Sequence, residues 1–204
     1  MSINLDREFE QWNNEGCPTD QNGSVPHAVK MYYVLRTLRD LVDSHPLGVR
    51  TVFVESGTSH GDGTYAILPH VDEVHTIEAY EPCYEYSKNR FFGDEKVNIH
   101  FGDSGKIIPD LLGNLSDEIA VFWLDAHYSG DGTAMLDKET PIVAELEAIA
   151  EVISVSHAIV IDDARGFGVW NDYPSIEWMR EYCEKAFPDH RFFLEGDEIF
   201  VVPA

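Results

Sequence analysis

Residues 50–64 read RTVFVESGTSHGDGT, and this stretch decides the fold. Residues 50–55 are a strand-sized, largely apolar run with no polar alternation, the pattern of a strand buried on both faces. A loop holding Gly57, Gly61 and Gly63 follows, and then a helical stretch near 61–69. The unit recurs downstream. Apolar strand-sized runs stand at 73–78 (EVHTIE), 97–101 (VNIHF), 119–124 (IAVFWL) and 157–161 (HAIVI), with helices over Pro82–Phe92, Gly105–Leu112 and about 141–153 between them. Short apolar strands alternating with helices make βαβ units, hence a parallel sheet covered on both faces. Upstream, residues 27–44 place Met31, Val34, Leu35, Leu38, Leu41 and Val42 at helical spacing, and His45-Pro46-Leu47-Gly48 stops that helix. A helix over 174–187 then leads into RFFLEGDEIFVV (191–202), two β-rich runs turning at Gly196-Asp197, a hairpin signal. The expectation is an α/β domain over 26–204 with five parallel strands and an antiparallel pair at the C-terminal edge. Residues 1–25, polar and without a clear period, read as an arm or lid.

Composition sets the outer limits. The 204 residues carry 14 Lys plus Arg against 37 Asp plus Glu, a formal charge of −23. Nucleic-acid backbones and anionic membrane surfaces are bound by clustered Lys and Arg, so neither is an expected partner. With 44% hydrophobic residues the chain can bury a real core. Cys17, Cys83 and Cys183 are far apart and form no CxxC pair, which excludes a disulfide scaffold and a thiolate zinc site and fits a reducing compartment. The N-terminus shows neither a basic start nor an apolar leader segment, and no apolar run approaches the ~20 residues that span a bilayer. The expectation is a cytoplasmic protein.

In open parallel sheets the ligand sits beyond the carboxyl ends of the strands, and here each of the five parallel strands ends in polar or glycine-rich residues. Gly57, Gly61 and Gly63 let backbone approach a ligand closely, or serve only a tight turn. The spacing G-x3-G-x-G departs from the GxGxxG of dinucleotide sites. Glu55, just ahead of the loop, repels a pyrophosphate and attracts an ammonium-bearing ligand. That charge favours S-adenosylmethionine over NAD, with Thr58 and Ser59 in the same loop. Glu78 ends the second strand and can accept both ribose hydroxyls, in either kind of site. Asp103 can accept an adenine amino group or cap the helix that follows it, with Ser104 beside it.

Asp125 follows the fourth strand, and Asp162 and Asp163 follow the fifth. Three carboxylates in one partly dry space need a cation or a proton, and oxygen ligands suit Mg²⁺ or Ca²⁺. The alternative is that the acids cap loops or pair with Arg165. His127, two residues beyond Asp125, is the candidate general base, with His60 second. Tyr128 can take a proton or wall the pocket, and Arg165 can orient a substrate oxygen. The loop Ser129–Thr140 closes over substrate or is a long connector.

These residues resemble a family. ESGTSHGDGT (55–64) is similar to the E-x-G-T-x-x-G-x-S-T loop of class I S-adenosylmethionine-dependent methyltransferases. WLDAHYSGDGT (123–133) followed by VIDDARGF (160–167) resembles the cation-dependent members, nearest in pattern the macrocin-type sugar O-methyltransferases and more distantly catechol O-methyltransferase. The resemblance implies a Rossmann-like seven-stranded sheet of order 3-2-1-4-5-7-6. It also implies a donor held by the glycine loop, Glu78 and Asp103, magnesium on Asp125, Asp162 and Asp163, and a sugar or similar small-molecule hydroxyl as acceptor. It departs at His127-Tyr128, where relatives carry an acid or an aromatic–lysine pair. The catechol-type lysine base has no counterpart in that motif.

Two competing readings are an NAD-dependent oxidoreductase, disfavoured by the loop spacing and Glu55, and a non-catalytic donor-binding module. Homo-oligomerisation is left open by the sequence.

Overall fold

The computed structural model describes residues 3–113, 115, 118–154 and 156–204. Seven strands make one sheet: β1 Thr51–Ser56, β2 Glu73–Glu78, β3 Val97–Phe101, β4 Ile119–Leu124, β5 His157–Ile161, β6 His190–Glu195 and β7 Glu198–Pro203. Their order is β3-β2-β1-β4-β5-β7-β6. β1 to β5 run parallel, while β7 is antiparallel to both β5 and β6. The expected parallel sheet, the antiparallel C-terminal pair and the order implied by the resemblance are all present.

Strand alternation builds two cores. Phe53, Val121, Trp123, Val160 and Phe200 point to one face, against the helices α1 Leu5–Asn14, α2 His27–Asp43 and α3 Asp62–Ile67. Val54, Phe122, Leu124, Ile161 and Ile199 point to the other, against α5 Ser104–Leu112, α6 Ile142–Ala150 and α7 Ile176–Ala186. β4 is buried at every position, which is why IAVFWL shows no alternation. The remaining helix, α4 Glu81–Arg90, packs on β2 and β3. No helix among the described residues is long and apolar enough to cross a membrane.

Part of the arm is helical. Leu5, Phe9 and Trp12 fall at i, i+4 and i+7, one face of α1. Phe9 stacks on Tyr32 of α2 with ring centroids 3.9 Å apart, and Arg39 of α2 pairs with Asp6 at 2.7 Å. Asn4 caps the helix by accepting from the Arg7 amide. Three apolar residues among ten are a stripe too thin to show as a period. Further on, Gly23 approaches the Arg165 side chain, so the arm runs past the β5 end of the sheet.

The registers align the chemistry. Ser56 lies opposite Leu124, and Leu124 opposite Ile161. The residues that follow them, Gly57, Asp125 and Asp162, therefore emerge side by side at one edge of the sheet. The order of the sheet reverses between β1 and β4, the place where open α/β sheets leave a crevice.

Candidate active site

A cleft of about 210 Å³ opens at that point. One wall is the β1 loop, the end of β2 and the start of α5, through Gly57, Ser59, Glu78 and Ser104. The other is Asp125, His127, Tyr128 and part of the 129–141 segment.

The glycine loop is shaped by close approach. Gly57 has φ +86°, and a Cβ there would lie 2.5 Å from the Asp125 carbonyl oxygen. Both the Gly57 and Thr58 amides donate to the Ile77 carbonyl, folding the loop onto β2. Thr58 is buried, its hydroxyl 2.5 Å from that of Thr76. Gly61 has φ +79°, and Phe91 fills the space where a side chain would go. Gly61 and Thr58 thus form the loop without lining the cleft, whereas Gly57 and Ser59 line it.

Glu78 is held from both sides. One carboxylate oxygen accepts from the Ser59 amide and the other from the Tyr80 amide, each at 2.7 Å. Each oxygen keeps a second lone pair for a ligand. Ser104 lines the cleft beside Glu78, but Asp103 does not: it caps α5 by accepting from the Gly105 amide at 3.1 Å and pairs with Lys106 at 2.9 Å.

Glu55 departs from the expected role. It is 1% exposed, accepts from the Thr64 and Thr76 hydroxyls at 2.6 and 2.5 Å, and backs onto Gly63 behind the loop. Burial above all raises its pKa to about 7, against the two hydroxyl bonds. A carboxyl turned inward and partly protonated at neutral pH does not repel a pyrophosphate. The preference for a methyl donor over NAD therefore draws nothing from the charge of Glu55.

Asp125, Asp162 and Asp163 do converge, but they are already occupied. The ammonium of Lys30, on α2, stands 2.6 and 2.7 Å from the two oxygens of Asp162 and 3.2 Å from Oδ1 of Asp163. Arg165 donates to the same Oδ1 at 2.6 Å and also to Asp197 in the β6–β7 turn. Asp163 has φ +59°, the left-handed region in which Asp is among the few tolerated residues. That turn aims its second oxygen at His127. The imidazole is clamped, Nδ1 3.3 Å from Oδ1 of Asp125 and Nε2 3.3 Å from Oδ2 of Asp163.

The charges follow this geometry. Burial works against a charged His127, but the Asp125 contact and the charges of Asp125, Asp163 and Asp162 outweigh it, and its pKa lies above the usual 6.5. Burial likewise opposes Lys30, and Asp162 and Asp163 overcome it. Asp163 is held below the ordinary carboxylate range, since Lys30 and Arg165 outweigh its burial. Asp162 moves upward through burial and the neighbouring Asp125 and Asp163 charges.

This arrangement does not suit magnesium on Asp125, Asp162 and Asp163. Mg²⁺ demands a near-octahedral oxygen shell, yet both oxygens of Asp162 and one of Asp163 already face the Lys30 ammonium. The donor atoms that do cluster are those of Asp125, His127 and Asp163, and separately Asp162, Asp163 and Asp197. The first set brings in a ring nitrogen, and the second surrounds Arg165.

Arg165 itself is spent on these acids and lies off the cleft, its guanidinium over the Trp170 ring. Tyr128 lines the cleft, and its amide donates to the Glu139 carbonyl at 2.7 Å. That bond, with those from the Glu139 amide to Asp172 and from Asn171 to the Glu139 carboxylate, pins the far end of the 129–140 loop. His60, in the glycine loop, does not line the cleft and packs on Tyr86.

Lys30, Glu145, Asp197 and Glu198 escaped the sequence reading. A signal for the first two exists. Lys30 shares its helix face with Val34, Thr37 and Leu41, and Glu145 shares one with Ile142, Leu146 and Ile149, all buried. A charge in an apolar stripe marks a buried partner. Glu145 lies beneath the cleft against Ser56 and Ser104, and burial, against those hydroxyls, raises its pKa to about 7. Glu198 is wholly buried and strongly raised by burial and by Asp162.

No protein-family profile matches the sequence, and neither does any curated protein. Solved structures do match the fold. An O-methyltransferase from Bacillus cereus in complex with S-adenosylhomocysteine aligns with TM-score 0.58 at 14% identity, over 99% of this chain and 92% of that one. An S-adenosylhomocysteine-bound methyltransferase from Podospora anserina aligns at 0.56 and 16%, over 99% and 88%. An amino pentose methyltransferase of calicheamicin biosynthesis from Micromonospora echinaspora, with S-adenosylmethionine bound, aligns at 0.54 and 11%, over 95% and 95%. At such identities the likeness is one of fold: the chain has the Rossmann-like architecture of these methyltransferases along nearly its whole length.

Proposed function

We propose that the protein transfers a methyl group from S-adenosylmethionine to a hydroxyl of a sugar or similar small molecule. The observation that carries this reading is the pairing of two walls. Glu78 sits on one, fixed by two backbone amides beside a close-packed glycine loop, and His127 faces it from the other, between two carboxylates.

S-adenosylmethionine supplies an electrophilic methyl group on a sulfonium. The chain's residues do the rest. Glu78 accepts hydrogen bonds from ribose hydroxyls, and the glycine loop lets backbone lie against the donor. His127 takes the proton that the acceptor hydroxyl loses, and Asp125 and Asp163 orient the ring and stabilise its charged form. Both of its carboxylate contacts are long for hydrogen bonds, so a hydroxyl can displace either one. Tyr128 and the 129–140 loop wall the acceptor side. The in-line reaction is then helped by positioning and deprotonation, with no divalent ion needed to make the hydroxyl nucleophilic.

Calorimetric titration of S-adenosylhomocysteine and of NAD tests the reading. Binding of the first and not the second is expected, followed by S-adenosylhomocysteine formation with a panel of sugars. Tight NAD binding alone would replace it with the oxidoreductase reading. Donor binding without turnover on any acceptor would leave a binding module.

A further inference from the structure

We infer that Lys30 is the resident cation of the Asp125–Asp162–Asp163 cluster, and that it shuts divalent metal ions out of this site. For what the cluster is for, the inference rests on the methyl-transfer reading; for what occupies it, on the geometry alone.

Lys30 rises from the buried face of α2, and its side chain is 9% exposed. Its ammonium spans both oxygens of Asp162 and reaches Oδ1 of Asp163. A surface lysine can swing into water when a metal arrives. This one is 9% exposed and held by two buried carboxylates, so leaving the site would break both pairings. A divalent ion bonded to Asp162 or to Oδ1 of Asp163 would sit against that ammonium, and like charges at such range in a poorly hydrated site repel strongly. Arg165 closes the cluster from the other side, between Asp163 and Asp197. The three requirements of a buried acid cluster are thus met from within the chain: Lys30 neutralises, Arg165 braces, and Asp163 turns its free oxygen to His127. Lys30 is a positioning residue, acting on the base through Asp163.

Binding of Mn²⁺, followed by electron paramagnetic resonance of the free ion, tests this without any acceptor. Wild type is expected to take up no stoichiometric Mn²⁺ at millimolar concentration. Lys30→Met, or Lys30→Gln if the first does not fold, is expected to bind one ion per chain at least about tenfold more tightly than wild type does. Lys30→Arg is expected to exclude it as wild type does. One tightly held Mn²⁺ per wild-type chain overturns the inference whatever the variants do. Exclusion that persists in folded Lys30→Met or Lys30→Gln overturns it as well. Titration of S-adenosylhomocysteine in EDTA reads the donor site separately. Loss of that binding with Mn²⁺ exclusion intact sinks the methyl-transfer reading alone, and Mn²⁺ uptake with donor binding intact sinks only the role of Lys30.

Discussion

Nε2 of His127 lies 3.3 Å from Oδ2 of Asp163, and that single contact joins the α2 lysine to the cleft, because the other Asp163 oxygen holds Lys30. Together with the Asp125 contact, which weighs more, it makes His127 more basic than a free imidazole. The expected outcome for Asp163→Asn is a fall in the His127 pKa, read from its imidazole resonances by NMR. The rate limb that rises with pH should move to lower pH with it. A limb that stays in place would take the base role away from His127.

Replacing His127 by Gln should lower turnover about 10²–10⁴-fold, the usual contribution of a general base. Affinity for S-adenosylhomocysteine should stay within a few-fold, since the proposed reaction places His127 on the acceptor side. Donor affinity that collapses along with the rate would place His127 in the donor site instead.

Glu78 makes the opposite prediction. Glu78→Ala removes the acceptor of two backbone amides and, in the proposed donor site, of the ribose hydroxyls, so calorimetry should show S-adenosylhomocysteine affinity falling by at least about tenfold. Undiminished affinity would mean that the donor lies elsewhere in the cleft.

Two glycines are pinned by their neighbours. A Cβ on Gly57 would meet the Asp125 carbonyl at 2.5 Å at a positive φ, and one on Gly63 would meet Glu55 and Trp123 at 2.2 and 2.4 Å. Gly57→Ala and Gly63→Ala should each destabilise the fold by about 1–3 kcal/mol in urea unfolding. Gly113→Ala is the control. It has open space and right-handed backbone, and should be neutral or stabilising by about 0.4–1 kcal/mol.

The buried acids contribute to the pH dependence of stability with one sign. Glu55 and Glu145 each have a folded pKa near 7 against an ordinary 4.5. A raised acid favours the folded state while protonated. The stabilisation is complete below pH 4.5 and is lost as pH rises to about 7, with each group contributing about 3 kcal/mol by linkage. His127, also raised, has the same sign, its share being lost as pH climbs through its folded pKa. Burial lowers the pKa of His27, His70, His75, His100 and His157, and these add stability as pH rises towards 6.5. The acid is therefore read by difference: thermal melts should show the Tm of wild type falling relative to that of Glu145→Gln as pH rises from 4.5 to about 7. A Tm difference between the two proteins that does not change with pH would show the Glu145 carboxyl ionised in the fold.

The architecture was legible because each parallel strand is a short apolar run closed by a glycine or polar turn, and those signals are local. One wall of the cleft was legible for the same reason, as Gly57 and Ser59 follow β1 and Glu78 ends β2. What stayed hidden depends on distant pairing. Lys30 meets Asp162 across 132 residues, and nothing near either residue announces the other. Glu55 sits at a strand end like the others, but pleat parity turned it into the core; counting alternate residues from Phe53, which shares its face, would have shown this. Asp197 read as part of a turn, and only the antiparallel pairing of β7 with β5 carries it to Arg165.

That hairpin has a consequence for how the protein comes to be made. The amide of Ala164 donates to the Asp197 carbonyl, and Arg165 leans on the Asp197 side chain, so the turn after β5 is fastened by chain synthesised more than thirty residues later. Lys30, made early, has its partners only once β5 has emerged. A nascent chain holding β1 to β4 can form its glycine loop and its first ladders, but it carries an unmatched ammonium on α2. Domains that close through contacts so distant in sequence fold slowly. In this one the mouth of the cleft is the part that must wait.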